Sequence, residues 1–327
     1  MRKHGLPALI AALSSLFTAC EDPIETVPVN TNREPVVVFV AFERDAPLRE
    51  LFASYSEETG VRVIVRSGIS RNIVNDVIEN KVSPPADLLL TGSVTDIWRA
   101  AEEGALRPLS SATAEEKVPQ WLRDPDDYWV ALSYQTAVLA FDPDVFADSN
   151  LTGTGSLHES QFHGRLCLSS SANPINQATI AMLIGELGVR DTQNLVRGWM
   201  ANLAQPVFDT ADQLLAAINA GDCGIGIVSS QTVAQAASGD SHVRFAVHNP
   251  VEAYAEIEAV GLARHAHNPQ GAAVLVEWLL SREAQQRHSS KTSFLAATEA
   301  PRNTRNVSLV AWHEVEAIKL AERVQYR

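Results

Sequence analysis

The sequence predicts an α/β fold in which doubly wound sheets are flanked by helices. Short apolar strands alternate with helices along most of the chain, which is typical of parallel sheets covered on both faces. Two strand–helix series are present, one before residue 123 and another from residue 164. The chain has 327 residues, of which 46% are hydrophobic, so it can form two domains of ordinary globular composition.

The first series begins with an apolar run rich in β-branched residues, VVVFVAF at 36–42, which indicates a buried strand. The helix at 48–60 has amphipathic spacing and ends at Gly60, a residue favoured after the last helical turn. The series continues with a strand at 61–68, a helix at 70–82, a strand ADLLLTG at 86–92 and a helix at 94–106.

The middle of the chain reads as an extended passage at 123–134 followed by a separate strand at 136–144. The second series has strands at 164–170 and 221–227, with helices at 173–188, 191–203 and 210–221 between them. An extended segment at 251–263, one amphipathic helix at 271–290 and a helical tail at 307–325 complete the prediction.

The N-terminus has the features of an export signal. Arg2 and Lys3 precede an apolar stretch from residue 6 to residue 19, which is shorter than the roughly 20 residues of a membrane span. Small residues then precede Cys20, as in a bacterial lipobox, so we expect residues 1–20 to form a lipoprotein signal peptide and lipobox, with Cys20 retained and lipidated after cleavage. A plain signal peptide with an incidental cysteine is the alternative. The segment at 21–35 is rich in Pro, Asn, Thr and acidic residues, which indicates a flexible tether.

Composition excludes several classes of function. The net charge of −13 argues against nucleic acid, which binds basic surfaces. The sequence contains no H-E-x-x-H, Walker loop or C-x-x-C motif. No nucleophile–base pair has supporting spacing, so an enzyme is not expected.

Cys167 and Cys223 remain in the exported chain, which suggests one disulfide, with two buried free thiols as the alternative.

Several stretches resemble the bacterial periplasmic solute-binding proteins of the two-lobed, type II, ferric-iron-binding class. The most specific are GRLCL at 164–168 and GDCGIGI at 221–227, where this family carries its disulfide cysteines, together with LRDPDDYWVALSY at 122–134. The resemblance implies two α/β lobes joined by crossing strands, a ligand held in the cleft, delivery to an ABC permease in the inner membrane, and a monomer. It also implies a Cys167–Cys223 disulfide. The first lobe is expected at 36–132 plus 259–327, and the second at 133–258.

The resemblance fails at the metal site. In the iron-binding family, two adjacent tyrosines follow the strand that matches GDCGIGI, and these positions are Gln231 and Thr232 here. Neutral side chains do not replace two phenolates, which suit Fe³⁺ as hard anionic ligands. The sequence therefore predicts a small polar molecule or an oxyanion as the ligand. A ligand-sensing lipoprotein that is not coupled to transport is a further alternative.

Candidate site residues follow from the expected cleft. The serine-rich loop SSSANPINQ at 169–177 precedes a helix, where backbone N–H groups can bind an anion, although an ordinary N-cap is the simpler explanation. On the segment at 251–263, Tyr254, Glu256 and Glu258 share a face by alternation; the alternative is one face in solvent. The ligand-binding candidates are Tyr134, Gln135, Ser170, Asn173, Asn176, Gln177, Ser230, Gln231, Thr232, Tyr254 and Glu256.

An iron receptor with a rebuilt ligand set is the second hypothesis. Asp45, Tyr134 and Tyr254, with Glu256 or Glu258, would supply oxygen donors for Fe³⁺. Iron would then be the transported ligand, and no resident cofactor is expected.

Overall fold

The computed structural model describes residues 34–42, 45–81, 83–239, 243–250, 254–301 and 305–327. The predicted signal peptide, Cys20 and nearly all of the predicted tether lie outside these residues. Within the described ranges, no helix has both the length and the apolar character that crossing a bilayer requires.

The strands and helices alternate as predicted. The strands are β1 (Val36–Ala41), β2 (Val63–Ser67), β3 (Leu88–Thr91), β4 (Leu106–Arg107), β5 (Trp129–Phe141), β6 (Leu166–Cys167), β7 (Ile225–Ser229), β8 (Ala246–His248), β9 (Ala255–Ala263) and β10 (Leu295–Ala296). The helices are α1 (Ala46–Thr59), α2 (Ser70–Ile78), α3 (Val94–Glu102), α4 (Ala112–Lys117), α5 (Pro174–Ala201), α6 (Ala211–Ala220), α7 (Ser230–Gly239), α8 (Pro269–Leu279), α9 (Arg282–Thr292) and α10 (Ser308–Arg323).

The main path of the sheet has the strand order β2-β1-β3-β9-β5-β7-β6. The pairs β1–β2, β1–β3 and β6–β7 are parallel, whereas β9 runs antiparallel to both β3 and β5. We call the half with β1–β3 the first lobe and the half with β6–β8 the second lobe. The α/β class predicted from the alternation of elements is confirmed.

Strand β5 connects the two halves. Its residues from Trp129 to Thr136 pair with β9, and those from Ala137 to Phe141 pair with β7. The separate extended passage and strand predicted at 123–134 and 136–144 therefore form one strand whose partner changes along its length. Because β9 pairs with both β3 and β5, the crossing between the lobes consists of two antiparallel strands.

Glycine and serine residues set the helix boundaries. Gly60 ends α1 in the left-handed conformation, as predicted. Gly188 has φ 79° and interrupts α5, so the chain forms two helical segments there, as predicted. The single helix predicted at 271–290 is wrong. The hydroxyl of Ser281 accepts a hydrogen bond from the Ala284 N–H and caps the start of α9, so the chain forms α8 and α9 instead.

The core contains strand residues that are buried on both faces, together with apolar residues of the helices that cover them. All residues of β1 and β3 are buried, as expected for strands covered by helices on both sides. In the second lobe, Cys167 and Cys223 form a disulfide with a Cα–Cα distance of 5.9 Å. Both cysteines are buried in a cluster with Val138, Leu214 and Val228.

The C-terminal segment contacts both lobes. Helix α10 packs against α5 of the second lobe and α3 of the first. Beyond it, Tyr326 is 1% exposed, and its hydroxyl donates a hydrogen bond of 2.8 Å to the carbonyl oxygen of Ser169. The segment predicted to belong to the first lobe is thus also tied to the second.

Candidate functional site

The candidate site lies where strands end beside the crossing between the lobes. In α/β proteins, ligands bind beyond the carboxyl ends of the parallel strands. Here that edge includes the end of β7, the loop between β6 and α5, and the crossing parts of β5 and β9.

The polar run at the end of β7 begins α7. The Ser229 hydroxyl accepts a hydrogen bond of 3.0 Å from the Thr232 N–H and lies 2.9 Å from the Thr232 hydroxyl. The Ser229 hydroxyl thus provides an acceptor for one of the backbone N–H groups that have no partner within the first turn of the helix. Thr232 is therefore already engaged within its own helical turn.

The two middle residues of this run contact other elements. The Ser230 hydroxyl accepts a hydrogen bond of 3.1 Å from the Thr136 N–H, at the point where β5 changes partner. The Gln231 side-chain amide donates a hydrogen bond of 2.8 Å to the carbonyl oxygen of Thr292, the last residue of α9. Ser230 thus links α7 to the crossing strand β5, and Gln231 links it to α9.

Asn173 accepts hydrogen bonds from backbone N–H groups in the first turn of α5. Its side-chain oxygen accepts from the Ile175 N–H at 3.1 Å, and its carbonyl oxygen accepts from the N–H groups of Asn176 and Gln177 at 3.0 Å. The helix also begins at Pro174, which has no N–H. An anion at this terminus would compete with these internal bonds or use side-chain donors.

Asn176 is a structural brace for the serine-rich loop. It is 2% exposed, and its amide group donates to the Ser169 carbonyl and hydroxyl oxygens and to the Ser170 carbonyl oxygen. The Ser170 hydroxyl accepts from the Ala172 N–H at 3.2 Å. These bonds fix the loop in a position beside the N-terminus of α5.

Ser170 and Gln177 meet at an open cavity of about 510 Å³. One wall is the serine-rich loop and the start of α5, and the other is the end of α10 with the residues that follow it. The lining residues are Ser170, Ser171, Ala172, Gln177, Ile180, Ala317, Ile318, Ala321, Glu322, Tyr326 and Arg327. The residues that line this space therefore include side chains with hydroxyl, amide and guanidinium groups, and the carboxylate side chain of Glu322.

Tyr134 is packed into the protein at the crossing. It is 5% exposed, and its ring forms a T-shaped contact with the ring of Trp121 at a centroid distance of 5.5 Å. Burial raises the pKa of the Tyr134 phenol, and the negative charge of Glu299 raises it further. Its neighbour Gln135 is half-buried and pairs with Glu256 across the two crossing strands.

Tyr254 belongs to a different cluster. Its hydroxyl donates to a carboxylate oxygen of Glu186 at 3.4 Å, and the Arg305 guanidinium lies 5.6 Å from the centre of its ring. Arg305 also forms an ion pair with Glu186. Burial raises the pKa of the Tyr254 phenol, against the opposing effect of a hydrogen bond with Thr154.

The proposed iron ligands are not assembled in this arrangement of the lobes. Asp45 pairs with Arg49 at 2.7 Å, whereas Tyr134 and Tyr254 contact the separate partners described above. In the described part of the chain, no hydrogen bond, ion pair or ring contact joins any two of these three residues. No group of three or more His, Cys, Asp or Glu residues in that part is placed to hold a metal ion.

Glu256 is buried at the crossing. One carboxyl oxygen accepts a hydrogen bond of 3.1 Å from the Val94 N–H, at the first residue of α3. Burial raises the pKa of the carboxyl to about 8, the nearby charges of Glu314 and Asp96 add to this, and backbone N–H bonds oppose it. Glu256 is thus mainly a neutral acid at pH 7, and a metal would have to displace its proton.

Glu258 lies at the same crossing with a partner that the sequence did not indicate. His288 of α9 places its Nε2 atom 2.5 Å from the Glu258 carboxylate, and the Ser133 hydroxyl donates to the same oxygen. Every residue of β9 is buried, so the alternative of a solvent-exposed face for this segment is wrong. Nothing in the residue pattern around His288 distinguishes it from a surface histidine.

Comparisons with known proteins agree with this architecture. Residues 36–290 match the family model described as bacterial extracellular solute-binding protein. Iron uptake protein A1 of Synechocystis sp. is 25% identical over 246 residues, which cover 72% of this chain and 68% of that protein. The Fe(3+)-binding periplasmic protein of Serratia marcescens is 21% identical over 239 residues, which cover 71% of this chain and 70% of the relative.

Solved structures show the same two-lobed fold. A Trichodesmium protein in complex with iron and citrate ligands superposes with a TM-score of 0.81 and 25% identity, covering 90% of this chain and 100% of that one. A Bordetella ferric binding protein superposes with a TM-score of 0.81 and 22% identity, covering 90% of this chain and 99% of that one. These relatives are named as binding and uptake proteins, in agreement with the expectation that the chain is not an enzyme. The chain belongs to the family of bacterial extracellular solute-binding proteins.

Proposed function

We propose that this protein is an extracytoplasmic receptor that captures a small polar molecule or an oxyanion between its lobes and delivers it to an ABC permease. The observation that carries this proposal is the chemistry at Gln231 and Thr232. Both are neutral, and both already form hydrogen bonds within the protein. In the resembled iron-binding proteins, the same positions hold the tyrosine pair.

The cavity beside the serine-rich loop is the proposed binding region. The hydroxyls of Ser170 and Ser171 and the amide of Gln177 can donate to a ligand oxygen there, and the Arg327 guanidinium adds positive charge. Glu322 on the same wall contributes one negative charge. These groups fit a ligand with one or a few carboxylate or phosphate oxygens.

Ferric iron with a rebuilt ligand set is the second candidate. It is favoured by the relatives, several of which are named for iron uptake or ferric binding. Binding of iron as a complex with an organic acid would be compatible with both candidate functions. The Trichodesmium structure contains both iron and citrate. Direct binding by Tyr134 or Tyr254 would require the loss of a phenol proton whose pKa is raised by burial.

The remaining parts of the proposal rest on the sequence. Lipidation of Cys20 would anchor the receptor to a bacterial membrane on its periplasmic side, and lobe closure around the ligand would be the signal read by the permease. A sensing lipoprotein would use the same closure with a different membrane partner. We expect the receptor to act as a monomer.

Titration of the purified protein with citrate, phosphate and ferric citrate tests the ligand class. We expect citrate or phosphate to stabilise the protein by about 2.7 kcal/mol at one hundred times its dissociation constant, with no further gain from iron. Replacing Gln177 by Ala should weaken this binding about tenfold, because a hydrogen bond to a charged group is lost. Gln235→Ala, on the exposed side of α7, is the control. Stabilisation by ferric citrate alone, with a visible absorption band that Tyr254→Phe removes, would contradict the proposal.

A further inference from the structure

The hydrogen bond from Gln231 to Thr292 joins the two lobes. Gln231 lies on α7, which directly follows β7 of the second lobe. Thr292 ends α9, which packs against α1 of the first lobe. A hinge motion that moves α7 away from α9 would break this bond of 2.8 Å.

The acceptor of this bond is the carbonyl oxygen of Thr292, at the C-terminus of α9. The last carbonyl groups of a helix have no partner within it, and Thr292 is the final residue of α9 before Ser293 turns the chain with φ 60°. The Thr292 hydroxyl donates to the His288 carbonyl oxygen at 3.0 Å and accepts from the Phe294 N–H at 3.2 Å. The end of α9 is thus held in one geometry, with its carbonyl directed at Gln231.

One turn earlier, α9 is anchored to the crossing strands. His288 is 3% exposed and pairs with Glu258 of β9, which also accepts from Ser133 of β5. A buried pair of this kind is costly to break, because it leaves an unpaired polar group behind. A hydrogen-bonded path therefore runs from the crossing through His288 and Thr292 to Gln231.

We propose that α9 and Gln231 form an interlobe latch, defined by Glu258, His288, Thr292 and Gln231, that stabilises the arrangement of the lobes seen here. The inference rests on the proposed function in one respect, namely that lobe motion accompanies ligand binding. Gln231 then acts on ligand affinity by favouring one lobe arrangement, as a positioning residue that does not need to touch the ligand.

Distance measurement in the ligand-free protein tests the latch. Spin labels at Glu57→Cys on α1 and Ala216→Cys on α6, both exposed positions, report the separation of the lobes by pulsed electron paramagnetic resonance. Gln231→Ala should shift the population toward the longer distance, lowering the ratio of latched to open molecules about fivefold, which corresponds to about 1 kcal/mol. Gln235→Ala on the same helix is the matched control and should leave the distribution unchanged.

A second variant tests the anchor. His288→Asn should lengthen the distance in the same direction, and Gln231→Ala should add little in that background, because both act on one path. Gln231 is only half-buried, so its variant keeps the test valid if His288→Asn fails to fold. Identical distance distributions for the unsubstituted protein and Gln231→Ala would overturn the latch.

Ligand titration separates this inference from the proposed function. If Gln231→Ala weakens binding of citrate without altering the ligand-free distances, Gln231 contacts the ligand directly, and the latch is wrong. If the distances shift as expected and none of citrate, phosphate or ferric citrate binds, the latch stands and the proposed ligand class fails.

Discussion

Replacing Glu256 by Gln is expected to stabilise the protein at pH 8 and to have little effect near pH 4.5. The folded state holds this carboxyl neutral because burial raises its pKa from 4.5 to about 8. As the pH rises from 4.5 to 8, the carboxyl ionises in the unfolded chain and stays protonated in the folded one. The stability that it contributes at low pH is therefore lost across this window.

The expected gain for Glu256→Gln at pH 8 is on the order of 4 kcal/mol, from about 1.4 kcal/mol for each unit of pKa shift. Glutamine keeps an oxygen to accept the bond from the Val94 N–H, and it carries no charge at any pH. Urea unfolding between pH 5 and 8 should give a smaller slope of unfolding free energy against pH in the variant.

Glu102→Gln is the control for this experiment, because Glu102 is an exposed residue near the other end of α3. It should leave the slope unchanged. An equal slope in the unsubstituted protein and Glu256→Gln would show that Glu256 is ionised in the folded state, and the crossing would then contain a buried negative charge.

Loss of the Cys167–Cys223 disulfide should lower the free energy of unfolding by about 4 kcal/mol, the value that chain entropy gives for a loop of this length. The bridge joins residues separated by 56 positions, so it removes many conformations from the unfolded chain. It also fixes β6, just before the loop that carries Ser170, beside the turn that leads into β7.

The double variant Cys167→Ala and Cys223→Ala tests this effect without burying hydroxyl groups. Its midpoint of urea unfolding should fall, and a reducing agent should lower the midpoint of the unsubstituted protein toward that of the variant. The reductant should not affect the variant itself. Equal stability of the unsubstituted protein in oxidising buffer and after verified reduction would contradict a stabilising bridge.

Most of the fold could be predicted from local sequence patterns. The apolar runs at 36–42 and 86–92 became β1 and β3 because buried parallel strands consist of such runs. The break between α8 and α9 is not evident in the sequence, since both sides of Ser281 favour a helix and no glycine or proline marks the boundary. The change of partner along β5 was also missed, because pairing depends on residues far away in the chain.

The site was less predictable because its contacts join distant segments. The sequence indicated Gln231 and Thr232 as unusual, but the Thr292 partner of Gln231 is 61 positions away. Alternation placed Glu256 and Glu258 on one face, whereas the structure gives them partners on α3 and α9 respectively. Only the packing of these helices determines which carboxyl becomes a neutral acid and which pairs with a histidine.

A crystal structure of the protein grown with ferric citrate, with an anomalous difference map at the iron edge, tests the central claim most directly. We predict citrate density in the cavity lined by Ser170 and Gln177, and no iron bonded to a protein side chain. Iron bonded to the phenolate oxygen of Tyr134 or Tyr254 would contradict the account and identify a rebuilt ferric site.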